Sequence, residues 1–135
     1  MKGRSIAAAF AGIIGGAVLA YLLLPVVDKM YPPDMDAIKE LDGDREAIAA
    51  YIKNLPAGFH LLGVVIGVLR MVAGLFIGAL IDKTNLMTYI VIGAFSLLLA
   101  VLDVFAFPHP VWYGLVYIPV MIGIMVGFIY MKRRA

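Results

Sequence analysis

Four long apolar runs constrain this chain more than anything else in it. Residues 6–27, 57–81, 87–107 and 111–130 form runs of 22, 25, 21 and 20 residues. About 20 mostly apolar residues suffice to carry a helix across roughly 30 Å of hydrocarbon. The runs are continuous rather than alternating, so helices are expected and a barrel is not, because lipid requires every backbone polar group to be satisfied internally. The composition agrees: 64% of the residues are apolar, 15% are charged and the mean hydropathy is +1.01. A soluble core of 135 residues could not hide that much apolar surface. The expected fold is all-α: a single domain over 1–135, built as a four-helix transmembrane bundle in the lipid bilayer. The absence of cysteine excludes disulfides and thiolate chemistry, and a net charge of +2 is too small to suggest a nucleic-acid partner.

The first run could be mistaken for a signal peptide, since Lys2 and Arg4 precede it and Val18-Leu19-Ala20 resembles a cleavage site. It exceeds the usual h-region in length, and we read it as a true span. Lysine and arginine in short loops set orientation. Lys2, Arg4, Lys83, Lys132, Arg133 and Arg134 fall on one side, against Lys29, Lys39, Arg45 and Lys53 on the other. Both termini are therefore expected in the cytoplasm. The outer loop 28–55 also holds seven of the nine acidic residues. Within it Tyr31-Pro32-Pro33 predicts extended or turning backbone, because proline lacks the donor a helix needs. Asp42-Gly43-Asp44 marks a turn, and Asp44 is a candidate N-cap. Ile48, Tyr51, Ile52 and Leu55 recur at helical spacing before Pro56, which predicts a short amphipathic helix on the outer membrane surface.

Twelve of the fourteen glycines lie within the four runs. Small residues let helix backbones approach closely in lipid, where dispersion and weak hydrogen bonds drive association. Ala8, Gly12, Gly16 and Ala20 form one such stripe, Gly63, Gly67, Gly74 and Gly78 a second, and Pro119, Gly123 and Gly127 a third. At about 100° per residue the second stripe occupies a narrow arc. Packing within the bundle is the expected use of at least two of the three stripes, a homo-oligomer is left open, and the sequence does not single out which stripe would face outward. The aromatic residues Tyr31, Tyr51, Phe59, Phe107, Trp112 and Tyr113 gather near the outer boundary, with Tyr89 and Tyr130 near the inner one. They are expected to form interfacial belts.

Ionisable groups at membrane depth are costly, so each is a functional candidate. Arg70 stands mid-span, about 20 Å below the outer end of its helix at 1.5 Å per residue. It shares the arc of the second glycine stripe, so it is expected to face protein. Asp103 lies only about 6 Å below the outer boundary by the same rise. A direct Arg70–Asp103 ion pair would need helix tilt or snorkelling. Ser96 is nearer Arg70 in depth and is an alternative partner. His60 matches Asp103 in depth, and a His60–Asp103 hydrogen bond is the preferred contact. His109 sits between Pro108 and Pro110, where turn chemistry favours a solvent-facing tip. No HExxH, His-x-x-His pair or phosphate-binding glycine loop occurs.

The run Pro108-His109-Pro110-Val111-Trp112-Tyr113, together with Asp44-Arg45-Glu46-Ala47 and the later Leu55-Pro56, resembles a group of small bacterial four-span membrane proteins of uncharacterised function that carry a Pro-His-Pro-x-Trp type turn between spans three and four. The resemblance covers most of the chain and implies a bacterial inner-membrane protein, but no activity. In that group the position of Asp103 is often asparagine and that of Arg70 usually small, so it implies no common ionic mechanism. Three readings follow. The leading one is a non-enzymatic membrane protein that packs as a homo-oligomer or as an accessory subunit of a larger complex, with no cofactor and no metal. The second is a small channel or transporter with Arg70 lining an anion pathway. The third is a metal-binding or enzymatic protein using His60, Asp103 and His109.

Overall fold

The computed structural model describes residues 3–134, so the expectation placed on Lys2 lies outside the described residues. Six helices follow one another: α1 (Gly3–Met30), α2 (Met35–Glu40), α3 (Arg45–Lys53), α4 (Ala57–Ile81), α5 (Leu86–Ala106) and α6 (Val111–Arg134). Among the described residues there is no strand. Helices α1, α4, α5 and α6 are each long and apolar enough to cross a membrane, and the protein is a multi-pass membrane protein of the all-α, four-helix type. Large apolar side chains such as Phe10, Phe76, Phe105 and Leu115 cover its outer surface, as a lipid solvent requires.

Between α1 and α4 sequence chemistry is legible at each joint. The backbone is non-helical through Pro32 and Pro33. The Asp34 side chain accepts a hydrogen bond from the Ala37 amide at 3.0 Å and starts α2, a helix not expected from the sequence. Asp42 and Gly43 both adopt positive φ, 48° and 73°, which only residues tolerant of the left-handed region do readily. Asp44 then caps α3 through the amides of Glu46 and Ala47, at 3.1 and 3.3 Å. Pro25 lies inside α1 and cannot donate to the Tyr21 carbonyl four residues earlier, yet the helix continues to Met30.

The broadest contact joins α1 to α4, and glycine makes it. A Cβ on Gly12 would lie 2.5 Å from the Gly74 carbonyl oxygen, and one on Gly74 would lie 2.8 Å from the Gly12 carbonyl. A Cβ on Gly16 would strike the Arg70 carbonyl. Further along α4, Gly63 and Gly67 instead receive the hydroxyls of Tyr113 and Tyr117 from α6. One narrow arc of α4 therefore packs on two different helices in succession. Gly123 and Gly127 of α6 have no neighbour within 4 Å of an added Cβ, and they are exposed. Tyr89 and Tyr113 are both fully buried, a correction to the expected interfacial belts, whereas Phe107 and Tyr130 are exposed.

The end of the bundle that bears both termini is tied by polar groups. The Arg4 guanidinium donates to the Ile81 carbonyl at 2.6 Å. The Ser5 hydroxyl donates to the Asp82 carboxylate and accepts from the Asn85 amide at 2.8 Å. Asp82 also accepts from the Thr84 and Asn85 backbone amides at 3.2 and 3.3 Å. The Ser5 hydrogen bond, helped by these amides against burial, holds the Asp82 carboxyl below its ordinary value. A depressed carboxyl pKa stabilises the fold fully above its unfolded value, about 3.9, and that contribution is lost as pH falls through the lower folded value. This tie is therefore intact at neutral and mildly acidic pH. Asp82→Ala is expected to speed hydrogen exchange at the Thr84 and Asn85 amides at pH 7. Unchanged exchange there would show that the tie is not formed.

Candidate functional site

Towards the other end, the loop end, α1 and α5 stand apart and leave a cavity of about 600 Å³ over α4. Ala20 and Leu24 of α1 form one wall, and Leu99 and Leu102 of α5 the other. Gly63 and Gly67 lie in its floor, with the hydroxyls of Tyr113 and Tyr117 seated where their side chains would be. The rims Tyr21, Leu24, Leu102 and Phe107 are exposed on the outside of the bundle, so the cavity opens sideways between α1 and α5. Its lining reaches no deeper than Arg70 on α4 and Leu99 on α5. The contacts of Gly16 with Arg70 and of Gly12 with Gly74 bring α1 onto α4 immediately below it.

Arg70 lines the cavity at its deep end. Its Nε is buried and has no hydrogen-bond partner, and no carboxylate of the described residues pairs with it. The conditional Arg70–Asp103 ion pair is thus not formed, although both residues line the same cavity. Ser96 is buried elsewhere and is no part of the lining, which removes it as a partner for Arg70. An unpaired guanidinium at this depth carries a cost of about 2.5–3.5 kcal/mol on insertion scales. The walls around it are mostly aliphatic, so nothing in the apolar part of the cavity offsets that cost.

The polar groups that do meet lie at the cavity's mouth. His60 Nδ1 and His109 Nδ1 are 3.0 Å apart. On the opposite side of the His109 ring, Nε2 lies 3.5 Å from an Asp103 oxygen. The second Asp103 oxygen accepts the Tyr113 hydroxyl at 2.5 Å. His109 also stacks on Tyr113, with ring centroids 3.8 Å apart. The expected His60–Asp103 hydrogen bond is therefore corrected: His109 stands between them. The expected solvent-facing His109 is corrected too, for its side chain is only 13% exposed. The Tyr113 face and the His60 nitrogen hold the ring inside the bundle despite its place between Pro108 and Pro110. His60 itself is 1% exposed, and its Nε2 has no partner. Because Asp103 and His60 touch opposite nitrogens of His109, the three cannot ligate one ion. No trio of histidine, aspartate or glutamate among the described residues is placed to do so.

Tyr113 and Tyr117 belong to this site and were not singled out as site residues from the sequence. Their i, i+4 spacing on α6 was a usable signal, since it sets both hydroxyls on one face. No family model, curated protein or solved structure matches the chain.

Proposed function

We propose that this protein binds an amphipathic anion from within the membrane, with Arg70 holding the acidic group and the facing walls of α1 and α5 holding the hydrocarbon. The observation that supports this reading is the unpaired Arg70 guanidinium at the deep end of an apolar, side-opening cavity. A charge in a low-dielectric site gains far more from an opposite charge than one in water does. Because the lining stops at Arg70 and Leu99, our reading is of a binding protein and not of a conduit. On this reading the protein is a non-enzymatic binding protein. The recognising chemistry is a phosphate or carboxylate, whether on a lipid headgroup or free.

The full chain in nanodiscs of equal anionic phosphatidylglycerol and zwitterionic phosphatidylcholine tests this. Lipid retained through native mass spectrometry is expected to be the anionic one, by about tenfold, which is about 1.4 kcal/mol. Arg70→Gln is expected to abolish the preference. Displacement of the lipid by millimolar inorganic phosphate would identify a free anion as the ligand. Equal retention of both lipids by the unaltered and the Arg70→Gln proteins would reject the reading.

The orientation and setting belong to the same proposal. Arg4, Lys83, Lys132, Arg133 and Arg134 all lie at the termini end, and the lysine and arginine bias of loops supports our reading of that end as cytoplasmic. The Pro108-His109-Pro110 turn and its resemblance to bacterial four-span proteins support the inner membrane of a bacterium. A second reading, packing as a homo-oligomer or as an accessory subunit of a larger complex, is favoured by α6. There Pro119, Gly123 and Gly127 are exposed, and added Cβ atoms at the two glycines would meet nothing.

A further inference from the structure

We propose that Tyr117 is the second ligand-binding residue of the cavity: its hydroxyl donates a hydrogen bond to the same acid group that Arg70 holds, so the ligand is an oxyacid on a hydrocarbon chain. This inference rests on the reading of Arg70 as an anion site and adds a donor to it. A census of the polar groups on the cavity wall leads there. At the mouth, His60, His109, Asp103 and Tyr113 are committed to one another. The partnerless His60 Nε2 is itself buried and closed off from the open space. Tyr21 stands on the rim, 73% exposed. Deeper in, two donors are left, Arg70 and Tyr117.

The state of the Tyr117 hydroxyl is specific. Its neighbour one turn earlier, Tyr113, gives its hydroxyl to Asp103, and among the described residues Tyr117 has no such acceptor. The buried side-chain atoms without partners are His60 Nε2, Arg70 Nε and Thr88 Oγ1, and the Tyr117 oxygen is not one of them. Unbonded yet not closed off, it opens on the cavity that the residue lines, although the residue as a whole is only 2% exposed. A phenylalanine would fill the same place without a hydroxyl left unbonded at membrane depth. The hydroxyl is therefore the part that packing does not explain.

Glycine brings this oxygen to Arg70. A Cβ on Gly67 would fall on the Tyr117 hydroxyl and lie 2.5 Å from its ring carbon Cζ. Arg70 comes three residues later on the same face of α4. Helical side chains lean towards the N-terminus of their helix, over the turn before their own Cα. For α4 that is the loop end, so the Arg70 stem leans over the turn of Gly67, where the Tyr117 hydroxyl is seated. At its root α1 holds the stem, since a Cβ on Gly16 would be 3.2 Å from Arg70 Cγ. Nε is the closed-off atom of the guanidinium, which leaves its terminal nitrogens to the cavity.

A guanidinium has donors only, and a phenol beside it supplies one more. One acceptor centre with several lone pairs and a negative charge satisfies both, as a carboxylate or phosphate does. An ester or alcohol would give the phenol an acceptor but leave the charge of Arg70 unpaired. Hydrogen bonds to an ionised acceptor are the strong ones, and a water-poor wall strengthens them further.

Dodecyl phosphate added to the full protein in phosphatidylcholine nanodiscs tests this. With ¹³Cζ-labelled tyrosine, the seven tyrosines are read together, and the Tyr117 signal is the one missing from Tyr117→Phe. That signal is expected to move on addition of dodecyl phosphate and to stay in place with dodecanol. Tyr117→Phe keeps the ring and is expected to bind dodecyl phosphate about tenfold more weakly. Equal binding by Tyr117→Phe and the unaltered protein would overturn the inference and leave the Arg70 reading standing. So would dodecyl phosphate that binds the unaltered protein and moves none of its tyrosine signals, an outcome that needs no variant. Dodecanol binding as tightly as dodecyl phosphate would overturn the Arg70 reading and this inference with it. The same shift with inorganic phosphate alone would support the role of the hydroxyl and identify a free anion as its partner.

Discussion

Gly12→Val is expected to destabilise the bundle by about 3 kcal/mol or more, while Gly123→Val changes it by no more than about 0.5 kcal/mol. The two substitutions add the same side chain to a glycine in a spanning helix and differ only in what it meets. At Gly12 the new Cβ lies 2.5 Å from the Gly74 carbonyl oxygen and 2.6 Å from Ile92 Cδ1. A side-chain methyl can rotate away, but a helix carbonyl can move only with its helix. The contact is reciprocal, since a Cβ on Gly74 would be 2.8 Å from the Gly12 carbonyl. Relief therefore requires α1 to lift off α4 along the broadest interface of the fold. In lipid no hydrophobic force draws it back, because its apolar face is equally content against acyl chains. Titration with denaturing detergent, followed by helix signal and α1–α4 cross-linking, measures both variants. Equal losses would show that backbone approach is not what holds α1. Gly123 has a second use: a change in self-association there without loss of stability would favour the α6 packing reading.

How much of this was legible in the sequence follows from the same physics. Spans are written in length and hydropathy, so the four long helices could be read directly, and α3 could be read from Asp44 and its periodicity. Helix α2 could not, because Pro32 and Pro33 point to extended backbone and the Asp34 cap serves only six residues. The azimuth of a helix is a different matter. In water an apolar face marks the core, but in lipid both core and solvent are apolar, and hydropathy no longer says which side faces in. That is why Tyr89 and Tyr113 read as interfacial and are in fact buried. Glycine carried more direction than any aliphatic residue, since only close approach accounts for it, yet it did not say which helix approaches. His109 shows the limit most clearly. The flanking prolines predict a tip, and only the tertiary position of the His60 nitrogen and the Tyr113 face turns that tip inward. Asp82, in the sequence Asp82-Lys83-Thr84-Asn85, carried an Asx-turn signal, but its bond to Ser5 spans 77 positions and no local pattern contains it.

Ala20→Trp is expected to evict the bound amphiphile, cutting retained anionic lipid at least about tenfold, while leaving the bundle as stable as before or slightly more so. Ala20 is half-buried on the α1 wall of the cavity and takes no part in the Gly12 and Gly16 contacts. An indole placed there enters open space instead of displacing packed atoms, and it removes the volume that the hydrocarbon would occupy. It leaves the Arg70 guanidinium in place. The pair of variants therefore separates charge from shape: Arg70→Gln removes the anchor and keeps the room, and Ala20→Trp does the reverse. Loss of lipid in both places the ligand in the cavity with its acid at Arg70. Loss in Arg70→Gln with full retention in Ala20→Trp would mean that the guanidinium reaches its anion outside the cavity, and the apolar walls would then have no part in binding. The energetic reason to expect joint dependence is that each half is poor alone. An apolar groove offers a lipid tail little that the bilayer does not, and an arginine without the groove can snorkel to water. Only where the walls hold the tail at the depth of Arg70 does the ion pair form out of reach of water.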